Sequence, residues 1–254
     1  MNDGLSMVAV GSGPPLVVLP GLGQGADLSV RVPRVAAWSN SALATGLKRR
    51  IHLIHRPVAP PADMTVADLA GWHATALAER FGEPVDVMAV SGGGITALQL
   101  ALDHPETVRR LALCVTASTV SEHGKRELRH IIEREGLGRS AARSGSRLIA
   151  DGPLRLLTLV NFLTRRSHPR APGEAALVYA VQDWDVTDRL PEITIPTLLI
   201  GGSRDTIFPP ELVRRTASAL PDARLLLLRG RSHTSALFDP RTKSAIAAFL
   251  DQRV

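Results

Sequence analysis

Residues 85–102 read VDVMAVSGGGITALQLAL: a buried-strand pattern runs into Ser91, then three glycines, then a helical pattern, with no spacer. A strand that passes at once into a helix carries the chain back over a sheet, so the next strand lies parallel to it. The same rhythm surrounds this segment. Leu16–Leu19 is a compact apolar run ended by Pro20-Gly21, Arg50–Ile54 is a second closed by His55-Arg56-Pro57, and Arg110–Val115 follows the central one. Helical patterns at Thr65–Phe81 and Gly94–Leu102 separate them, and Thr65 with Asp68 resembles a capping box. After Pro191 the alternation resumes, with strands at Pro196–Ile200 and Ala223–Leu228 and helices at Pro210–Leu220 and Arg241–Leu250. The pattern predicts an α/β fold with a mostly parallel, doubly wound sheet. A chain of 254 residues is long enough for one large α/β domain or two small ones.

From Ser121 the strand signal stops. Glu122–Glu135, Arg139–Ala150, Leu154–Thr164 and Glu174–Trp184 all read as helices. The expected organisation is therefore a core of residues 1–120 and 191–254 with a helical insertion over 121–190. Charge divides the chain along similar lines. The net +6 arises entirely in residues 121–170, which hold eleven basic and five acidic residues, while the flanking parts balance. Arg126, Arg129, Arg134, Arg139, Arg143 and Arg147 recur at spacings of three to five and can share a helical flank. Three readings are open: a solvated face, a surface that steers an anionic substrate or an acidic carrier protein, and a nucleic-acid site. Aromatic residues are only 4% and none interleave with these arginines, which argues against nucleic acid.

Other classes are excluded more simply. An apolar content of 44% with 21% charged residues fits a globular protein and rules out a disordered or collagen-like chain. Cys114 is the only cysteine, so neither an intramolecular disulfide nor a cysteine-built metal site is available, and no metal is expected. The N-terminus lacks a signal-peptide pattern and no stretch nears 18 uninterrupted apolar residues, so we expect a cytoplasmic protein without a membrane partner.

A serine on a strand-to-helix turn stands above the carboxyl edge of the sheet, where the N-terminal N–H groups of the helix face it. The turn is tight, so the residues two before and two after must be small, as Ala89 and Gly93 are. This segment resembles the nucleophile elbow of the α/β-hydrolase superfamily, with Ala89 in place of the first glycine of G-x-S-x-G. In that family the acid and the histidine follow the nucleophile in chain order. The strand TLLI leads into Gly201-Gly202-Ser203-Arg204-Asp205, which resembles the acid loop. The strand LLLL leads into Arg229-Gly230-Arg231-Ser232-His233, which resembles the histidine loop. The resemblance covers residues 14–120 and 191–254 and implies a cofactor-independent hydrolase with a catalytic triad of Ser91, Asp205 and His233. It implies an oxyanion hole from the backbone N–H groups of Gly92 and Leu22, although Pro20 stands where most relatives have histidine. It also identifies residues 121–190 as a helical cap over the active site.

The loop Gly21-Leu22-Gly23-Gln24-Gly25-Ala26 also fits a dinucleotide fingerprint, with Arg56 as a candidate ligand for a 2′-phosphate. Pro33 interrupts the helix that such a site requires, so the glycines are better read as room for an acyl group. Trp38, His55 and Trp184 are candidate pocket walls. The apolar residues Leu156, Leu157, Leu159, Val160, Phe162 and Leu163 either pack the cap onto the core or line a site for a partly apolar small molecule. His52, within a strand, and His123, His130 and His168, in or beside the insertion, lack a catalytic context. A carboxylic ester, lactone or thioester is the expected substrate. A carbon–carbon bond hydrolase with the same triad and a non-catalytic small-molecule binding protein on the same fold are the alternatives.

Overall fold

The computed structural model describes residues 5, 7–21, 46–54, 56–57, 60–61, 63–156, 159 and 172–252. Seven strands form one sheet: β1 (Met7–Val10), β2 (Pro15–Leu19), β3 (Arg50–Ile54), β4 (Val85–Val90), β5 (Val108–Cys114), β6 (Thr197–Gly202) and β7 (Ala223–Leu228). Their order is β1-β3-β2-β4-β5-β6-β7. β1 pairs antiparallel with β3, and all the other neighbours are parallel. The expected mostly parallel α/β sheet is thus observed.

The central strands are apolar on both faces because helices cover both. Val17, Leu19, Val87, Ala89, Leu111, Leu113 and Leu199 pack toward one cluster, which includes α1 (Val66–Phe81) and α2 (Gly92–Asp103). The alternate residues Leu16, Val18, Met88, Ala112, Cys114, Leu198 and Ile200 pack toward the other, with Ile246, Phe249 and Leu250. Those three belong to the closing helix, α8 (Pro240–Leu250).

α1 begins where the capping pattern predicts. The Thr65 hydroxyl accepts the Asp68 N–H at 3.0 Å, and the Asp68 carboxylate accepts the Thr65 N–H at 2.9 Å. Gly82, in the left-handed region at φ 66°, ends the helix. α2 begins at Gly92, two residues before the expected start, because the chain reverses within the single residue Ser91. β6 likewise runs two residues past Ile200, since Gly201 and Gly202 still pair with Leu227 and Leu228.

Between β5 and β6 the chain forms α3 (Glu122–Gly136), α4 (Ala142–Ile149), α5 (Pro172–Ala180) and a 3-10 turn (Thr187–Glu192). α3 packs on both α4 and α5. Ser121 caps α3: its hydroxyl accepts the Gly124 N–H at 2.9 Å and donates to the Thr206 carbonyl at 2.7 Å. The six arginines do not share one helix. Arg126, Arg129 and Arg134 lie on α3, Arg143 and Arg147 on α4, and Arg139 in the connection, because Gly138 adopts φ 68° and turns the chain. The helix expected over 174–184 stops at Ala180, and that expected over 154–164 lies mostly outside the described residues. Helices α6 (Pro210–Ala219) and α7 (His233–Leu237) follow β6 and β7. No helix among the described residues is long and apolar enough to cross a membrane.

Candidate active site

Ser91 follows β4 directly and holds φ 53°, ψ −122°, a conformation that costs a non-glycine residue ~1–3 kcal/mol. Two backbone bonds keep it there: its N–H donates to the Cys114 carbonyl at 2.9 Å, and its carbonyl accepts the Gly94 N–H at 2.8 Å. Crowding explains the small neighbours. A Cβ on Gly93 would abut the Leu19 carbonyl and lie 2.7 Å from that of Pro20, and one on Gly94 would strike the Thr116 side chain. Ala89, fully buried and in register with Leu19 and Leu113, keeps its methyl group. The Pro20-Gly21 turn closes over the serine, so that a Cβ on Gly21 would sit 3.3 Å from that of Ser91. Gly92 is the first residue of α2, where backbone N–H groups have no acceptor within the helix.

The loops after β6 and β7 are laced together. The Ser203 N–H donates to the Leu228 carbonyl at 3.0 Å and the Arg204 N–H to that of Arg231 at 2.8 Å. The Ser203 hydroxyl accepts the Gly230 N–H at 2.8 Å. This approach requires Gly202, because a Cβ there would collide with the Arg231 carbonyl. Within the laced pair Asp205 is 3% exposed. Its Oδ1 accepts the Ile207 and Phe208 N–H groups at 2.9 and 3.1 Å, and its Oδ2 lies 2.8 Å from Nδ1 of His233. A carboxylate only accepts, so Nδ1 carries the proton and Nε2 of the neutral ring keeps its lone pair. The Phe208 ring stacks on the imidazole at 6.0 Å between centroids.

Backbone bonds also join the strand ends across the sheet. Ser91 N–H reaches Cys114 after β4, Val115 N–H reaches Ile200 at 2.7 Å after β5, and Ser203 N–H reaches Leu228 after β6. Ser91, Asp205 and His233 therefore share the carboxyl edge. A hydroxyl on a strained turn, and an imidazole whose far nitrogen is held by a buried carboxylate, are the parts that nucleophilic acyl transfer uses. Burial pushes the Cys114 thiol up to about 12, so it stays protonated near neutral pH and offers no rival nucleophile.

The remaining candidates divide. Trp184 is buried, and its indole N–H donates to Gln99 Oε1 of α2 at 2.8 Å, which places it at the seam between the 121–190 segment and the elbow helix. Leu22, Trp38 and His55 lie outside the described residues. Arg56 lies against the Pro20-Gly21 turn: its Nη2 donates to the Gly21 carbonyl at 3.1 Å. Nothing local in the sequence announces that contact, since the partner is 35 residues away. Asp239 is a second such residue. It accepts Arg231 Nε at 2.8 Å and both Nε and Nη2 of Arg241 at 2.9 Å, and these bonds, led by those from Arg241, hold its carboxyl well below the usual range. It thereby anchors the loop that carries His233. Among the described residues no three His, Cys, Asp or Glu side chains cluster as a metal site.

A family model for the alpha/beta hydrolase fold matches residues 14–240. A pimeloyl-[acyl-carrier protein] methyl ester esterase of Neisseria meningitidis serogroup C is 29% identical over 195 residues, covering 71% of this chain and 72% of the relative. A putative carbamate hydrolase RutD of Pseudomonas savastanoi pv. phaseolicola is 27% identical over 200 residues, 72% of this chain and 74% of its own. Among solved structures, the enol-lactonase of Burkholderia xenovorans superposes with a TM-score of 0.76 at 24% identity, covering 98% of this chain and 96% of that one.

Proposed function

The chain belongs to the α/β-hydrolase fold family, and on that premise we propose that it hydrolyses a carboxylic ester, lactone or thioester through Ser91, His233 and Asp205. Ser91 Oγ attacks the carbonyl carbon while His233 Nε2 takes its proton. Asp205 holds the Nδ1–H and stabilises the imidazolium that forms. The oxyanion is received by the N–H groups of Gly92 and Leu22. Collapse of the tetrahedral intermediate expels the alcohol or thiol, which takes the proton from His233. Water, deprotonated by the same imidazole, then attacks the acyl-enzyme and releases the acid. The observation that carries this reading is the strained backbone of Ser91, a conformation that a serine there only to cap a helix has no reason to hold.

The residues 1–120 and 191–254 act as the catalytic core in this reading, and residues 121–190 as the cap that closes over the substrate. An acidic carrier protein that presents the acyl group, or a free anionic ester, is the partner that the cap favours. Arg126, Arg129, Arg143 and Arg147 are exposed and form no ion pair with another described residue, so their charge is available to a partner. The name of the Neisseria relative, an esterase of a carrier-bound acyl group, supports the same choice.

Hydrolysis of short- and medium-chain aryl esters tests the chemistry. Ser91→Ala is expected to lower kcat/KM by ~10^4-fold or more without loss of fold. A fluorophosphonate should label the wild type at Ser91 and leave the variant unlabelled. Equal rates for the two proteins on every ester, lactone and thioester tried would favour a binding protein instead.

A further inference from the structure

Among the described residues of the 121–190 segment, Asp151, just after α4, is the one whose carboxylate reaches both loops of the Asp205–His233 pair. Its Oδ1 accepts the Ser232 hydroxyl at 2.8 Å, and its Oδ2 lies 4.0 Å from Nη1 of Arg204. Ser232 directly precedes His233, and Arg204 directly precedes Asp205. The two contacts differ in weight. The Arg204 side chain is 70% exposed and the pair is at the edge of contact range, so solvent screens it. Ser232 is 6% exposed, and its bond is short and charge-assisted.

The Ser232 bond also sets the order of protons in the turn that begins α7. A carboxylate can only accept, so the Ser232 hydroxyl spends its proton on Asp151. In the 3.0 Å contact between the two hydroxyls the Ser235 hydroxyl must then donate to Ser232. The Ser235 oxygen meanwhile accepts the Ser232 N–H at 2.8 Å. The backbone entering His233 is thus gripped by a closed set of bonds whose direction depends on Asp151. Packing of α4 against α7 brings the two parts together, and among the described residues none of the core replaces the carboxylate as the acceptor of this hydroxyl.

We propose that Asp151 is a positioning residue: it ties the orientation of His233 to the seating of the inserted helices, so that the base is aligned only when the segment is down on the core. The proposal rests on the catalytic reading above for its consequence, though not for its geometry. A substrate that must lift the segment to enter would meet a misaligned base, and alignment would return with closure.

The test uses Asp151→Ala, Asp151→Asn and Ser232→Ala in the full chain, alone and as the alanine double variant. Asp151→Ala should lower kcat ~10–100-fold with KM nearly unchanged, since a small misplacement of a base costs that much. Asp151→Asn, whose amide oxygen can still accept the hydroxyl, should recover most of that loss. The double variant should be no slower than Asp151→Ala. Loss in KM alone, equal loss in the Asn variant, or additive losses in the double variant would overturn the proposal. The low-field proton resonance of the His233 Nδ1–H reports the alignment without turnover and should broaden or vanish in Asp151→Ala but persist in Asp151→Asn. If the wild type fails to react with a fluorophosphonate, the catalytic reading falls and that resonance still decides for or against the latch. An unchanged resonance in Asp151→Ala sinks the latch while leaving the catalytic reading intact.

Discussion

Gly93 and His73 show how single side chains, or their lack, are set by what surrounds them. Two carbonyl oxygens of the Leu19–Pro20 turn occupy the place where a Cβ of residue 93 would lie. Backbone atoms cannot swing aside like the end of a flexible side chain, so Gly93→Ala must displace that turn or the elbow. A loss of ~2 kcal/mol or more in urea unfolding is expected, with a fall in ester hydrolysis larger than the stability change explains. His73 is buried in α1, 2% exposed, with Nδ1–H donating to the Leu69 carbonyl at 2.7 Å. Burial lowers its pKa to about 4. The unfolded chain takes up this proton near pH 6.5, whereas the folded one resists it until about pH 4. Between those values the unfolded state binds more protons, so stability falls as pH falls, by ~3 kcal/mol once both limits are passed. Above pH 6.5 the effect is absent. His73→Gln, which keeps a donor for Leu69, should flatten that part of the curve of unfolding free energy against pH. A slope unchanged between pH 6.5 and 4 would show that His73 is not its source.

The strands and helices draw on different kinds of information. α1, α2 and β4 are legible in the sequence because apolar spacing, a capping pair and the glycine run are all local. β1 is not, since Met7–Val10 is a four-residue edge strand with exposed Val8 and Ala9, and only its register with β3 makes it a strand. The same limit applies to the site. The loops of Ser91, Asp205 and His233 can be recognised because each follows its own strand. Arg56 on Gly21, Asp239 on Arg231 and Asp151 on Ser232 depend on contacts between separate loops that no local pattern encodes. The far end of the sheet has such a contact too. Asp86, at the start of β4, is fully buried between Arg109 and Arg110 of β5, and Arg110 also donates to the Gln252 carbonyl beyond α8 at 2.7 Å. Burial alone would raise the Asp86 carboxyl, but the two guanidinium groups outweigh it and hold the pKa below its ordinary value. Its contribution is therefore present above the ordinary carboxylate range and is lost only as pH falls beneath it, a window separate from that of His73. Asp86→Ala leaves a buried Arg110 without its carboxylate, and we expect a loss of ~3–5 kcal/mol in urea unfolding at neutral pH. Ester hydrolysis by the fraction that remains folded should be nearly normal, because this clamp lies at the opposite edge of the sheet from Ser91.

Net charge and the candidate triad fall in different stretches of the chain. The core strands and loops that hold Ser91, Asp205 and His233 belong to parts of the chain that are electrically balanced, while residues 121–170 hold the whole +6. Part of that charge is used internally, since Arg134 Nε donates to the Ser140 carbonyl at 3.0 Å and Lys125 pairs with Glu122. Arg126, Arg129, Arg143 and Arg147 project from α3 and α4 into solvent. Fields from exposed charges act over about 10 Å at 0.1 M salt and shrink to about 3 Å at 1 M, so they alter encounter rates rather than the chemical step. The expected signature is a kcat/KM for an acidic carrier-bound ester, or for a small anionic ester, that falls with added salt. A neutral aryl ester of equal size should show little response, and kcat should be constant for all three. Reversing Arg126, Arg129 and Arg143 to glutamate should remove the salt dependence and slow the anionic substrates about tenfold while leaving the neutral one unaffected. Stopped-flow acylation across 20–500 mM salt measures this directly. A parallel fall for neutral and anionic esters would mean that salt acts on the fold as a whole, and that the arginines do no more than keep these helices wet.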